Sequence, residues 1–337
     1  MKKFKAVLAV VMIAVLTFVF AACSNGGASS DGSGSSKADT ASSDNSDSKS
    51  NSKGSDDLLP EFDKSGTIKE THMTDVFDVS ITATELTYTN STVELSLKLE
   101  NKSNAKREVH AGTTGYGCNS VNGYMIHDGY LNCDLDPGAA AEEKISFSYG
   151  ELNVHGINKI ADIGIGFDVS DENFKSEKSD MVFVKTQNAD SYNYNEDTYL
   201  KTMKGNSLQN AYGLTVNALS ESSNYSEGNV SILSQTIVTN KDGKSSLMVE
   251  FENKSDQALY INLSNLKLNG TSVKDSFVGS DLIWSNKKSV ISISLKDYLD
   301  ANESLNANNI KSAAFTVKAA NLDNTPVTQG STVTLDF

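Results

Sequence analysis

Apolar and polar residues alternate along several short stretches of this chain. In residues 93–99 every second residue is apolar, and the residues between them are charged or small and polar. Residues 247–251 show the same period of two. Because successive side chains of a β-strand point to opposite faces, the pattern predicts strands with one face in a core and the other in water. Helical periodicity is nearly absent, and only residues 150–154 and 295–302 suggest short helical turns.

Four segments of the chain recur in the same order. Residues 95–103 correspond to residues 247–255, and both contain an Asn-Lys-Ser corner. Three more pairs follow at nearly the same offset: 121–123 with 268–270, 145–148 with 291–294, and 160–169 with 310–319. Colinear blocks of this kind indicate a duplicated module.

Each module is predicted to be an antiparallel β-sandwich. Asn-Gly pairs at 122–123 and 269–270 favour positive φ and predict hairpin turns. Short strands at regular spacing, each with one buried face, indicate an immunoglobulin-like arrangement. The expected fold is therefore all-β, with two tandem immunoglobulin-like domains. The first would span residues 61–188, and residues 189–337 would hold a polar connector, which could add an edge strand, followed by the second domain.

The N-terminus has the layout of a bacterial lipoprotein signal. Three lysines within the first five residues precede an apolar run from Ala6 to Phe20, and two alanines then lead to Cys23. We expect residues 1–22 to be a signal peptide and Cys23 to carry the lipid. An uncleaved membrane helix is the alternative, although it needs about 20 apolar residues and this run is shorter.

Residues 23–60 predict a disordered tether. From Ser24 to Asp57 the chain contains no aromatic residue and no Ile, Leu or Val, so it cannot bury enough surface to offset its ordering entropy. A coil of this composition reaches roughly 30 to 35 Å. The tether would lift a folded head clear of the membrane.

The formal net charge of −14 restricts the partners. Removal of the signal peptide takes away three lysines and no acidic residue, which leaves −17. A nucleic-acid partner is not expected, because phosphate binding needs clustered Lys and Arg. Anionic lipid headgroups and wall polymers would also be repelled, whereas divalent cations or cationic peptides would be attracted.

A family resemblance appears at the repeated blocks. An ENKS strand end, a VNGYM hairpin, a GELNVHGINKIADIGIGFDV block and a closing Val-rich strand follow in this order. The arrangement resembles the uncharacterised immunoglobulin-like repeats of surface lipoproteins in Gram-positive, clostridial-type bacteria. The match covers residues 75–186 well and the second module more loosely. The resemblance implies the fold and a location on the outer face of the cell membrane, and it implies no activity.

Signals of catalysis are weak. The histidines do not form the His and Glu pattern of a zinc-hydrolase helix, and no nucleophile elbow or phosphate-binding glycine loop occurs. Gly164 and Gly166 lie within a predicted strand, where close packing explains them. We therefore expect no enzyme activity, no catalytic residue and no cofactor; an undetected hydrolase is a remote alternative. The four histidines are His72, His110, His127 and His155.

One loop of the first module is rich in oxygen ligands and flanked by cysteines. Its oxygen-bearing residues are Asp128, Asn132, Asp134 and Asp136. Their spacing matches no known calcium loop, so no metal site is expected. Cys118 and Cys133 could form a disulfide in an exported protein, although a tight hairpin would place Cys118 opposite His127 instead. The sequence leaves this pairing open.

Aromatic residues near the predicted hairpins suggest binding. Tyr116, Tyr124 and Tyr130 flank the first hairpin, and Trp284 lies in the second module. Such rings can stack on sugars or anchor peptides, but a lone tryptophan is more often part of a core. We expect a lipid-anchored, non-enzymatic surface protein that binds an unknown envelope protein or glycan. A calcium- or glycan-binding adhesin is the alternative.

Overall fold

A computed structural model describes residues 58–112, 119–221, 225–272 and 277–337 of the chain. Antiparallel β-sheets dominate these residues, which confirms the all-β prediction. The predicted signal peptide, the predicted lipidation site Cys23 and most of the predicted tether lie outside the described residues. None of the helices in the described part is long and apolar enough to cross a membrane.

The described residues of the first half form two packed sheets and part of a third. One sheet has the order β1-β2-β3-β8, and a second has the order β11-β10-β4-β7. The strands are β1 (Thr71–Val76), β2 (Val79–Tyr88), β3 (Thr92–Asn101), β4 (Arg107–Ala111), β5 (Asn119–Val121), β6 (Tyr124–Ile126), β7 (Leu131–Leu135), β8 (Ala140–Ser148), β9 (Asp162–Ile165), β10 (Phe167–Ser170), β11 (Ser176–Lys178) and β12 (Val182–Lys185).

The second half repeats this strand order. Its strands are β13 (Thr215–Ser220), β14 (Ser226–Glu227), β15 (Val230–Thr239), β16 (Ser245–Asn253), β17 (Leu259–Leu268), β18 (Thr271–Ser272), β19 (Phe277–Ile283), β20 (Lys287–Ser294), β21 (Ser312–Asn321) and β22 (Ser331–Asp336). The order β13-β15-β16-β20 parallels β1-β2-β3-β8, and β17, β21 and β22 form the facing sheet with β18 and β19.

In the described part of the chain, four short α-helices interrupt the strands: α1 (Tyr149–Val154), α2 (Thr198–Met203), α3 (Ser207–Tyr212) and α4 (Lys296–Asp300). α1 and α4 lie where the sequence predicts helical turns. The connector adds no edge strand, because it forms α2 and α3 instead. Asp197 caps α2 by accepting from the Leu200 N–H at 2.8 Å, and Gly213 ends α3 in the left-handed conformation.

Two buried asparagines explain the repeated Asn-Lys-Ser corners. Asn101 is 2% exposed, and its Nδ2 donates to the backbone carbonyls of Ala105, Leu135 and Asp136. Asn253 is fully buried and makes the equivalent bonds to Gln257, Ile283 and Trp284. Each such bond contributes roughly 0.5 to 1.5 kcal/mol. The repeat therefore preserves a corner that ties separate strands together.

The two predicted Asn-Gly hairpins are confirmed. Asn122 and Gly123 have φ angles of 51° and 90° between β5 and β6, and Asn269 and Gly270 have φ angles of 49° and 80° between β17 and β18. The Asn122 Oδ1 also accepts from the Ala161 N–H at 2.7 Å. Each asparagine thus makes a turn and holds a neighbouring strand in register.

The two halves share a sheet, and some residues of each half pack into the core of the other. β6 pairs in parallel with β20, which joins β12-β9-β5-β6 to β20-β16-β15-β13 in one sheet. The Lys288 N–H donates to the Gly123 carbonyl at 2.9 Å. Leu208, Leu214, Val238 and Val290 pack into the first core, while Met125 and Met181 pack into the second.

Candidate functional site at the junction of the halves

A buried carboxylate lies where the halves meet. Glu250 of β16 is fully buried and accepts one hydrogen bond on each oxygen. The Tyr124 hydroxyl of β6 donates to its Oε1 at 3.1 Å, and the Ser234 hydroxyl of β15 donates to its Oε2 at 2.7 Å. One partner comes from each half. The region in which Tyr124 and His127 of the first half contact the second half is called the junction below.

Burial raises the pKa of Glu250 to about 7, and the negative charge of Asp197 adds to this shift. The hydrogen bonds from Ser234 and Tyr124 and the charge of Lys288 oppose it. The Lys288 ammonium is committed elsewhere, since it donates to the Glu196 carbonyl at 3.2 Å and lies 5.2 Å from the Tyr124 ring centroid. Glu250 is therefore close to its titration point at neutral pH.

The connector closes the junction from one side. Tyr199 of α2 is fully buried, and its N–H donates to the Tyr124 hydroxyl at 3.4 Å. Its own hydroxyl donates to the Thr236 Oγ1 at 3.2 Å. His155 lies against both rings, with centroids 5.5 Å from Tyr124 and 6.3 Å from Tyr199. The helix thus holds Tyr124 in place against the second half.

A second contact across the junction is ionic. His127, whose side chain is about half exposed, has its Nε2 3.3 Å from the Asp281 Oδ2 and its Nδ1 3.9 Å from the Glu151 Oε1. The charge of Asp281 raises the pKa of His127 well above its ordinary value against the opposing effect of burial, and Glu151 adds to the rise. Burial opposes ionisation of Glu151, but His127 and His155 outweigh it and lower the pKa of that carboxyl.

The junction contains the residue types of a hydrolase triad in a different arrangement. The Ser289 hydroxyl donates to the Asp281 Oδ2, and His127 contacts that same oxygen. The carboxylate therefore lies between the serine and the imidazole. In a nucleophilic triad the imidazole must contact the hydroxyl to accept its proton. This order of contacts favours a structural ion pair.

Glu250 corrects the sequence analysis. The alternation in β16 places Glu250 on a face predicted to be in water, yet the residue is fully buried. The prediction is wrong at this position because β6 and the connector cover that face of β16. Asp281 is likewise buried, at 5% exposure. No local pattern marks either residue, since their partners come from distant segments of the chain.

The predicted cysteine pair is only partly described. Cys133 lies in β7 between the buried residues Leu131 and Leu135, and burial raises the pKa of its thiol to about 11. Cys118 lies outside the described residues, so its pairing with Cys133 stays a prediction. A thiol with this pKa is a poor nucleophile at neutral pH.

The oxygen-rich loop is spread over several contacts. Asp128 accepts from the Ser148 N–H at 2.9 Å, and Asp134 pairs with Lys106 at 2.7 Å. Asn132 and Asp134 lie on the exposed face of β7. Among the residues that the structure describes, no group of three or more His, Cys, Asp or Glu side chains is placed to hold a metal ion.

The remaining candidate residues have separate environments. His72 lies 3.1 Å from Asp75, and His110 lies 3.4 Å from Glu108. A Cβ on Gly164 would lie 2.5 Å from the Phe183 ring, as the packing interpretation expects. Trp284 packs partly buried against the second core, Tyr130 is 56% exposed, and Tyr116 lies outside the described residues.

An aromatic tip, formed by the exposed Phe174 and the partly buried Phe77, was not anticipated. In the described residues, positive φ angles at non-glycine positions occur at Asn, Asp and these two phenylalanines, with φ angles of 45° and 63°. Phe174 is 92% exposed. The Phe77 ring lies 4.0 Å from the Arg107 guanidinium and 5.0 Å from the Lys175 ammonium, so the two turns are adjacent.

No family model matches the chain, and no curated protein matches it. Similar solved structures include the YadV chaperone, at 13% identity over 71% of this chain and 91% of that chain, with a TM-score of 0.19. The exo-chitosanase CsxA of Amycolatopsis orientalis matches at 11% identity over 72% of this chain and 25% of its own, with a TM-score of 0.21. A bacterial ice-binding adhesin matches at 10% identity over 73% and 56%, with a TM-score of 0.17. Similarities at this level carry no argument about function.

Proposed function

We propose that the protein is a lipid-anchored, non-enzymatic interaction module on the outer face of a Gram-positive cell membrane. Its head would be two tandem immunoglobulin-like domains on a flexible tether. The observation that carries the proposal is the apolar run from Ala6 to Phe20, which two alanines connect to Cys23. Two acyl chains on such a cysteine hold a protein on a bilayer stably, whereas one chain holds it only marginally.

The aromatic tip supports the interaction role. Strain at a left-handed backbone is retained mainly where function requires it, and Phe174 exposes nearly its whole ring there. Phe77 precedes the start of β2, whereas Tyr88 at the end of that strand lies near Phe62, with ring centroids 6.2 Å apart. The tip is thus about 30 Å from the point where the tether enters. This position suits contact with an envelope protein or glycan.

A glycan-binding adhesin is the second candidate. Tyr194 and Phe183 are each 39% exposed. The Tyr194 hydroxyl donates to the Asp162 Oδ2 at 2.7 Å, and its ring meets Tyr192 edge-on at 4.9 Å. Partly exposed aromatic rings suit the apolar faces of a sugar.

Replacement of the anchor cysteine tests the proposed location. We expect Cys23→Ala to abolish incorporation of radiolabelled palmitate and to release the protein from the membrane fraction, because no other segment is expected to hold it there. Cys133→Ala is the matched control and should be labelled like the wild type. Equal labelling of the wild type and Cys23→Ala would refute the proposal.

A further inference from the structure

Two side-chain contacts cross the junction within one short segment. Tyr124 and His127 are three residues apart in the first half, and they contact Glu250 and Asp281 of the second half. We propose that these contacts form a proton-stabilised lock, which holds the halves together at mildly acidic pH and loosens as the pH rises. The lock is a property of the head and does not depend on the lipid anchor.

The surroundings of Glu250 favour its neutral form. The groups that face it are Tyr124 from β6, Ser234 from β15, Lys288 from β20, and Asp197 and Tyr199 from the connector. Among the described residues, no cationic side chain forms an ion pair with Glu250 within 4.0 Å. A carboxylate loses its hydration when it is buried, and without such a partner two hydroxyl donors replace that hydration only in part. The neutral form of the group is therefore favoured. Separation of the halves would return Glu250 to water.

The surroundings of His127 favour its charged form. Asp281 from β19 and Glu151 from α1 face the imidazole, and Ser289 from β20 holds Asp281 in place. His155 faces Glu151 at 4.0 Å from the other side. Opening the junction would remove Asp281 and leave Glu151, because Glu151 belongs to the same half. The closed state therefore gains most from a protonated His127.

Both groups give the pH dependence the same sign. The closed state raises the pKa of Glu250 from 4.5 to about 7 and the pKa of His127 above 6.5. A raised pKa means that the closed state binds more protons, so its stability is fully present below the ordinary value and is lost as the pH rises through the raised one. Glu151, whose pKa is lowered, acts oppositely and only towards acid pH. The closed state should be most favoured near pH 4.5, should weaken as the pH rises from there to about 7 because of Glu250, and should lose the His127 contribution above pH 6.5.

Amide exchange at the junction tests the lock directly. The Lys288 N–H bonds to the Gly123 carbonyl across the junction, so its protection reports opening. In the chain from Ser24 to Phe337, we expect its protection factor, corrected for intrinsic exchange, to fall about a hundredfold between pH 5 and pH 8. The amide of Ile291, paired within the second half, should change far less.

Three variants decide the assignment. Glu250→Gln is neutral and of the same shape, and it can keep both contacts if its oxygen accepts from one hydroxyl and its amide group donates to the other. Most of the pH dependence should therefore disappear while protection stays high. Glu252→Gln, a matched change on the same strand, should behave like the wild type. His127→Gln should remove the loss of protection above pH 6.5 and is expected to fold because the side chain is half exposed. Protection that is independent of pH in the wild type, or an unchanged pH dependence in both Glu250→Gln and His127→Gln, would overturn the proposal.

Discussion

At the residue scale, both asparagine and phenylalanine residues adopt a left-handed backbone conformation, but the consequences differ. Asn122 and Asn269 use a left-handed φ to turn a hairpin, and their side chains also bind the neighbouring strand. Phe174 has the same conformation and a ring that is 92% exposed. A left-handed backbone costs roughly 1 to 2 kcal/mol at a residue with a Cβ, and asparagine offsets this cost through local hydrogen bonds. Phe174 has no polar side chain with which to offset this cost.

Substitution of Phe174 by asparagine should therefore separate stability from binding. We expect Phe174→Asn to leave the melting temperature unchanged or to raise it by up to a few degrees, because asparagine tolerates the left-handed backbone better. We also expect it to reduce the capture of envelope components by the immobilised protein.

Leu322→Asn is a suitable control, since Leu322 is 49% exposed in a different turn. A fall of several degrees in the melting temperature of Phe174→Asn would show instead that the ring supports the fold. Equal capture by the wild type, Phe174→Asn and Leu322→Asn would exclude the tip as a contact.

At the element scale, β6 and β20 decide how independent the halves are. Their parallel pairing is limited to Lys288 and Tyr124, but core residues of each half also pack into the other. The second core nevertheless draws nearly all of its members from β15 to β22. A half with its own core can fold alone, and loss of its neighbour then lowers its stability without removing its structure.

The fragment of residues 205–337 should fold with a β-type circular dichroism spectrum. We expect its free energy of unfolding to be lower than that of the same half in the whole head by at least about 2 kcal/mol, because Met125 and Met181 no longer cover its core. Thermal melts of the fragment and of the whole head measure this difference. A fragment without any cooperative transition would mean that the halves share a single core.

At the scale of the whole molecule, charge dominates the expected behaviour. Because the net charge is −14, acidic groups repel one another, and any added salt screens this repulsion. This effect occurs whether or not a specific ion site exists. Two acidic residues of the first-half loop have partners: Asp134 pairs with Lys106, and Asp128 accepts from the backbone of Ser148. A general effect of salt must therefore be separated from a calcium site.

Calcium at millimolar concentration should not raise the melting temperature beyond the effect of magnesium at equal ionic strength. The reason is that Asn132 and Asp134 point out from β7 while Asp128 binds backbone elsewhere, so they converge on no common point. Differential scanning calorimetry measures the shift. A rise specific to calcium, abolished by Asp134→Asn with Asp136→Asn, would favour the adhesin alternative.

The sequence by itself determined the all-β class, the strand alternation, the hairpins at Asn122 and Asn269 and the repeated Asn101 and Asn253 corners. These features depend on neighbouring residues, because strand period and turn conformation are local properties. Only the tertiary structure decided that Glu250 is buried against Tyr124, that His127 meets Asp281 and that Lys175, next to Phe174 in the chain, lies over the Phe77 ring. These contacts join residues far apart in the chain, and no local pattern encodes which polar face a distant segment will cover.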